Sequence, residues 1–314
     1  MSFPYLVSVR LMVYNHEFYI REAIDGILKQ KTNFMVEVVI GDDFSTDKSL
    51  EIIREYHDTA TIHFKILDRK VGGEYWQNRQ KLGRLHNFYN IIENCTGKYV
   101  ALLDGDDYWT DPLKLQKQVN FLDDNSDYVL SFHNANYLYL DGKKKKFSEK
   151  YLFLNSKNVF TKDDLLKNQW FIPTASILFK NTYTKFPDYF LEVYAGDFNL
   201  QLFFSKLGKF HYISDEMSVY RITDQGVGKV NQKPLCRIND LKIWVNLVDA
   251  VDKKYILRWT LANYSLLLKN DLKNKNLVYF LNHFFISIKV FFLFIYYVMI
   301  HFFKKKVNFK NIEV

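Results

Sequence analysis

The stretch KYVALLDGDDYW, residues 98–109, decides how the rest of the chain is read. Tyr99 to Leu103 form an unbroken apolar run of the length expected for a strand buried on both faces. Three carboxylates, Asp104, Asp106 and Asp107, stand where that run ends. A solvated acidic turn and a metal site both fit the local pattern. The choice between them depends on what the neighbouring segments place beside it.

Outward from this stretch, the same pairing of an apolar run with a helical segment recurs. YLVSVRLMV (5–13), MVEVVIG (35–41), IHFKIL (62–67) and DYVLSFHNA (127–135) read as strands. EFYIREAIDGILKQ (17–30) carries Ile20, Ala23, Ile24, Ile27 and Leu28 on one helical face. STDKSLEIIREY (45–56) opens with capping residues, a helix is predicted over 78–94, and DPLKLQKQVNFL (111–122) has Pro112 in its first turn. Such alternation over about 130 residues predicts an α/β fold with a mostly parallel sheet covered by helices. Ligands in such sheets bind beyond the carboxyl ends of the strands. Asn15, Asp42, Asp43, Asp104, Asp106 and Asp107 all fall at such ends. Acids serving only solvation would also be scattered over helix faces.

The pattern weakens from 136 to 160. A short helix at 161–168 and a strand at 174–180 follow, then a helix over GDFNLQLFFSKLG (196–208) and two short strands, KFHYIS and MSVYRI. From 234 onward the periodicity is helical throughout. The expected organisation is a catalytic domain over 1–230 and a C-terminal helical section over 231–314.

The net charge of +8 lies largely in short runs such as KKKK (143–146) and KKK (304–306). No recognisable nucleic-acid module carries them, so nucleic acid is not an expected partner. The two cysteines, Cys95 and Cys236, lack the spacing of a zinc site or a disulfide framework. The N-terminus has no charged region before an apolar core and is not read as a secretory signal.

The Asp-x-Asp of DGDD suits Mg²⁺ or Mn²⁺, which take oxygen ligands and keep room for phosphates. A calcium loop beginning at Asp104 is excluded, because Trp109 and Leu115 stand where Gly and Glu are required. An aspartyl-phosphate phosphatase would carry Thr or Val where Tyr108 stands. Asp197, at the start of a helix, is favoured in its ionised form by the helix dipole and also reads as a helix cap.

Taken in order, VSVRLMVYNHEFYIREAIDGILKQ, VEVVIGDDFSTDKSLEII, NCTGKYVALLDGDDYWTDPLKLQKQV and AGDFNLQLFFSKLGKFHYI resemble the family 2 glycosyltransferases of the GT-A fold, over about residues 5 to 225. The resemblance implies a nucleotide-sugar donor (a UDP-sugar is expected), a divalent cation and inversion at the anomeric carbon. It implies that Tyr14 lies against the nucleobase and Asp43 hydrogen-bonds it. Asp104 would meet the ribose and Asp106 the metal, with Asp107 competing for the metal. Asp197 would be the catalytic base, and Arg84 and Arg221 would stand near the donor diphosphate. Two departures are visible. Gly196 precedes Asp197 where many members have Glu, and Thr223 stands where many have a His able to reach metal or phosphate. Competing readings are a nucleotidyltransferase, which has no need of Asp197, and a non-catalytic nucleotide-sugar or glycan-binding module. Trp109 and NQWFIPTAS (168–176) are candidates to border the acceptor, with Trp170 and Phe171 equally readable as core.

FFISIKVFFLFIYYVMIHFF (284–303) is long enough to span a bilayer. A single span followed by KKK would place the two ends of the chain on opposite sides, yet nucleotide sugars are cytoplasmic. The expectation is therefore a peripheral or monotopic protein at the cytoplasmic face of the inner membrane, acting on a saccharide or lipid-linked saccharide acceptor.

Overall fold

The computed structural model describes residues 4–182, 185–223 and 234–310. The chain forms two compact units. The first comprises Met1–Leu191 with Gly196–Thr223, and the second Glu192–Ala195 with Asp224–Val314.

The first unit opens with β1 (Val7–Val13), α1 (Ile20–Leu28), β2 (Val36–Asp42), α2 (Ser49–Ile53) and β3 (Ile62–Ile66). Next come α3 (Glu74–Leu82), α4 (Leu85–Glu93), β4 (Tyr99–Asp104), β5 (Tyr108–Trp109), α5 (Lys114–Asp124) and β6 (Tyr128–Leu138). The unit continues with β7 (Lys144–Lys146), α6 (Phe147–Lys150), β8 (Val159–Phe160), α7 (Lys162–Lys167), β9 (Leu178–Lys180), α8 (Gly196–Phe204) and β10 (Lys209–Arg221).

The sheet runs β3-β2-β1-β4-β9-β6-β10-β5, with β7 on β6 and β8 on β10. β3, β2, β1 and β4 are mutually parallel, as the apolar runs predicted. β9 enters antiparallel to both β4 and β6, and β6 pairs parallel with β10. The chain moves from β1 to β2 and β3 on one side, then returns to place β4 on the other side of β1. This reversal is the kind of switch point at which a crevice opens beyond the strand ends.

Val7, Val9, Leu11 and Val13 of β1 join Ile24 and Ile27 of α1 and Leu103 of β4 in one core cluster, all fully buried. The opposite face of β1 carries Ser8 and Arg10, both also fully buried. Gly26 of α1 allows the turn that carries the acids to pack closely. A Cβ there would stand 2.9 Å from the Trp109 carbonyl oxygen.

Several expected boundaries shift. The helix predicted over 78–94 is two helices, broken at Gly83, whose φ of +78° is a conformation that L side chains rarely adopt. Residues 174–176 form a 3₁₀ turn, so the strand expected from 174 starts at Leu178. KFHYIS and MSVYRI are one strand, β10, with register irregularities between Ile213 and Ser218. An irregular register hides a continuous strand from a period-two reading.

The second unit contains α9 (Pro234–Leu247), α10 (Lys253–Lys273) and α11 (Leu277–Lys310). Asp271 of α10 pairs with His283 of α11 at 2.6 Å. The window Leu277–Ile300 has a mean hydropathy of 2.0, and none of it is buried within the protein. Residues 224–228 of VYRITDQGVG lie outside the described residues.

Candidate active site

β4 delivers Asp104 as its last residue, and a tight turn then presents Asp106 and Asp107. Gly105 is required there, because a Cβ would stand 2.7 Å from His16 Nδ1. The three acids have separate environments. Arg10 Nη1 donates to Asp104 Oδ1 at 2.5 Å, and Arg10 itself is fully buried with its guanidinium 4.4 Å from the Phe88 ring. Asp106 is half-buried, with His16 Nε2 at 4.0 Å. Burial raises its pKa, the charge of Asp104 adds to this, and His16 and Arg221 oppose it. Asp107 is only 2% exposed, and its Oδ1 accepts the Arg221 backbone N–H at 2.9 Å. Burial, followed by the charges of Asp106 and Asp104, pushes its carboxyl well above the usual carboxylate range.

Asp197 reaches the same neighbourhood from a distant part of the chain, on the first turn of α8. Thr174 Oγ1 donates to its Oδ2 at 3.0 Å, and the Phe198 N–H donates to its Oδ1 at 2.8 Å. Its pKa is raised chiefly by burial. The two donors lower it, the charge of Asp104 raises it, and Arg84, at the start of α4, lowers it. Tyr220 of β10 marks the convergence. Its hydroxyl is shifted upward first by burial and then by the charges of Asp107, Asp106, Asp197 and Asp104 together. Four acids spread over 94 residues of sequence therefore act on one phenol.

Beyond β2, Asp42 caps its own turn by accepting the Ser45 N–H at 3.0 Å and the Ser45 hydroxyl at 2.5 Å. Asp43 is held by Arg79 of α3. Nε donates to both carboxylate oxygens at 2.9 Å, and Nη2 lies 2.8 Å from Oδ2. Arg69 lies beside this pair, 3.9 Å from the centroid of the Tyr75 ring, and is anchored to the Asp42 carbonyl and to Asn87 and Asn90. Asn15, with φ of +54°, accepts the Thr46 N–H and so ties the end of β1 to the loop after β2. Tyr14 is 55% exposed beside it in the chain, open to a stacking partner. The Arg221 guanidinium pairs with Glu22 and lies between the Tyr19 and Tyr108 rings, each 4.9 Å away.

Trp109 does not border an open site. It is 3% exposed, and its indole N–H donates to the Ala175 carbonyl at 2.9 Å. Phe171 is fully buried, whereas Trp170, with φ of +61°, packs on Phe198 at 5.0 Å. The Trp109–Ala175 bond sits next to Thr174, so the acid turn and the Asp197 carboxylate are braced through adjacent residues.

Among the described residues, no three His, Cys, Asp or Glu side chains form a ready-made metal cage. The donor set still fits a hard cation. Asp106 offers a half-buried oxygen beside Asp107 and Asp104, and Mg²⁺ or Mn²⁺ commonly binds through one or two carboxylates plus substrate phosphates.

The sequence alone does not mark Arg79, Thr174 and Tyr220 as site residues, nor assign Arg10 a partner. Arg10 alone left a signal there, as a charge inside the apolar run VSVRLMV. The others are ordinary polar residues until the fold brings them to a carboxylate.

The profile of glycosyl transferase family 2 matches residues 8–184. The chain belongs to that family. The uncharacterized protein Rv1520 of Mycobacterium tuberculosis is 34% identical over 221 residues, which is 70% of this chain and 60% of that protein. The chain thus spans about 60% of the length of the mycobacterial relatives it matches. The putative teichuronic acid biosynthesis glycosyltransferase TuaG of Bacillus subtilis is 31% identical over 164 residues, 52% of this chain and 58% of that protein. In fold, the chain is similar to residues 1–349 of S. aureus TarS in complex with UDP-GlcNAc. The TM-score is 0.60 at 17% identity, covering 90% and 81% of the two chains. It is also similar to the mannosyltransferase PcManGT of Pyrobaculum calidifontis in complex with GDP-Man and Mn²⁺. There the TM-score is 0.55 at 15% identity, covering 97% and 89%. These likenesses establish the GT-A type of fold.

Proposed function

We propose that the chain transfers a sugar, with inversion, from a nucleoside-diphosphate sugar to an acceptor hydroxyl in the assembly of a surface polysaccharide. The observation that carries this reading is that Asp197 and the acid turn are braced through adjacent residues, Thr174 donating to Asp197 at 3.0 Å and Ala175 accepting from Trp109 at 2.9 Å. One acid at a helix N-terminus facing a cluster of three is the division of labour that a single displacement needs.

In this reading Asp197 accepts the proton from the acceptor hydroxyl as that oxygen attacks. Thr174 and the Phe198 N–H hold the carboxylate still, and burial gives it a higher proton affinity than a surface acid has. Tyr14 and Asp43 receive the base, Asp104 the ribose, and Arg84 and Arg221 stand towards the diphosphate. Asp106, with Asp107 behind it, would hold Mg²⁺ or Mn²⁺. That ion, when bound, neutralises charge on the departing diphosphate. A uracil nucleotide is the expected donor, consistent with the TarS likeness, and the TuaG relation supports the polysaccharide setting.

Asp197→Asn is the deciding variant. It should lower transfer by about a thousandfold or more, while nucleotide-diphosphate affinity stays within about twofold. Turnover like that of the wild type would remove Asp197 from the role. A thermal-shift panel of nucleoside diphosphates with and without Mn²⁺ identifies the base and the metal requirement together.

The exposed apolar face of α11, followed in sequence by Lys304, Lys305 and Lys306, supports a monotopic seat on an anionic cytoplasmic leaflet. Flotation with phosphatidylglycerol vesicles but not with phosphatidylcholine vesicles at low salt is the expected result. A protein that stays monodisperse without detergent and ignores both kinds of vesicle would refute this seat.

A further inference from the structure

One cleft in the first unit lies outside every role assigned above. It is a cavity of about 330 Å³ lined by Tyr137, Tyr139, Lys145, Lys146, Glu149 and Lys150. β6, β7 and α6 build it. Tyr137 pairs in register with Lys145, so those two side chains share a face of the β6–β7 hairpin. Tyr137 is fixed by stacking on Phe147 at 4.6 Å, and Tyr139 remains 38% exposed. Lys150 Nζ lies 5.8 Å from the Tyr137 ring centroid. Lys146 pairs with Glu216 at 2.7 Å, while Lys145 forms no ion pair among the described residues. With Lys146 matched by Glu216, the remaining charges of the lining are Lys145, Lys150 and Glu149, a modest positive excess.

This cleft is connected to the acid cluster. Tyr137 is in register with Tyr220 across the β6–β10 ladder, and their rings meet edge-on at 5.9 Å. The next residue along β10, Arg221, donates its backbone N–H to Asp107 Oδ1 at 2.9 Å. Tyr220, Tyr137 and Tyr139 therefore form a row that leads from the proposed site of transfer into the lysines. The strand ends assigned to the base and the ribose belong to β1, β2 and β4, and β9 lies between β4 and β6. The cleft thus lies apart from the base and ribose positions and borders the proposed diphosphate position only through Arg221, at the end of β10 and in register with Leu138 of β6.

Sugar rings present apolar C–H faces that pack on aromatic side chains. Ammonium groups are strongly hydrated point charges suited to carboxylate or phosphate. The exposed ring of Tyr139 beside the partly buried Tyr137, with lysines between and around them, offers both at once. We propose that this cleft is an acceptor subsite for an anionic saccharide, one bearing carboxylate or phosphodiester groups. The word acceptor rests on the transfer reading above; the binding chemistry does not.

The test uses the full chain in calorimetric titrations with three probes: hexagalacturonate, a glycerol-phosphate hexamer and uncharged maltohexaose. At least one charged probe should bind about tenfold or more tightly than maltohexaose, and its affinity should fall with salt. Whichever anion binds identifies the group that the lysines read. Lys145→Ala with Lys150→Ala should cost about tenfold in that affinity, and Tyr139→Ala about fivefold, with nucleotide-diphosphate affinity unchanged. These side chains lie at the surface, and unchanged melting temperatures would show that the variants are folded. Equal binding of the neutral probe, or variants that bind like the wild type, would overturn the subsite. If nucleotide sugar is consumed but no probe senses the lysines, the subsite fails and the transfer reading stands. If the probes bind through the lysines but no nucleotide sugar is consumed, the reverse holds.

Discussion

Thr174 donates its hydroxyl proton to Asp197 Oδ2 at 3.0 Å across 23 residues of sequence. A hydrogen bond to a carboxylate favours its charged form, so the threonine opposes the upward shift caused by burial. Thr174→Val removes that donor and raises the pKa of Asp197 further. A base must be deprotonated to act, so the acid limb of the kcat/KM profile should move to higher pH. kcat should fall about tenfold with donor KM unchanged, and Thr174→Ser should restore both. A variant that loses activity with no movement of the acid limb would assign Thr174 to packing alone.

Arg79 engages both oxygens of Asp43. The pair fixes the carboxylate where the base is expected, and a group held in place beforehand binds more tightly than one that must be ordered. Arg79→Ala should weaken nucleotide-diphosphate binding about fivefold to tenfold, while kcat at saturating donor stays within about twofold. Calorimetry and steady-state kinetics on the same preparation separate the two effects.

Arg10 is a buried cation whose anionic partner is Asp104. Arg10→Met should lower the unfolding free energy by about 3 kcal/mol, because it leaves Asp104 without its counter-charge. Asp104→Asn added to Arg10→Met should recover part of that loss. A double-mutant cycle in urea gives the coupling energy directly.

Lys114 is fully buried over the Trp109 ring, with Nζ 3.9 Å from the centroid, and burial drives its pKa well below the ordinary lysine value. The unfolded chain therefore binds a proton more readily than the folded one between the depressed pKa and the free value of about 10.4. Wild-type stability should rise with pH through that window. Lys114→Met should abolish this slope and raise stability at pH 7 by about 1 kcal/mol. Chemical denaturation at several pH values in the neutral-to-alkaline range measures both.

Much of the fold was legible because its signals are local. The apolar runs of β1, β2 and β4 and the helical stripe of α1 can be read from period alone, and acids placed after such runs must lie at strand ends. The family resemblance rests on the order of those segments. The length and composition of 284–303 marked a stretch long and apolar enough for a bilayer in the same way, whereas its lack of burial within the protein is a matter of tertiary structure. What sequence did not determine was which polar groups meet. Arg10 reaches Asp104 across 94 residues and Arg79 reaches Asp43 across 36, and each contact depends on how strands and helices stack. The break at Gly83 turns on a single dihedral angle, and the unity of β10 on a register irregularity that periodicity cannot see. Trp109 looked like an exposed sugar platform until packing buried it against α1. Sequence placed the acids at the carboxyl edge of the sheet. Tertiary structure chose their partners, because hydrogen bonds and ion pairs form only over distances set by packing.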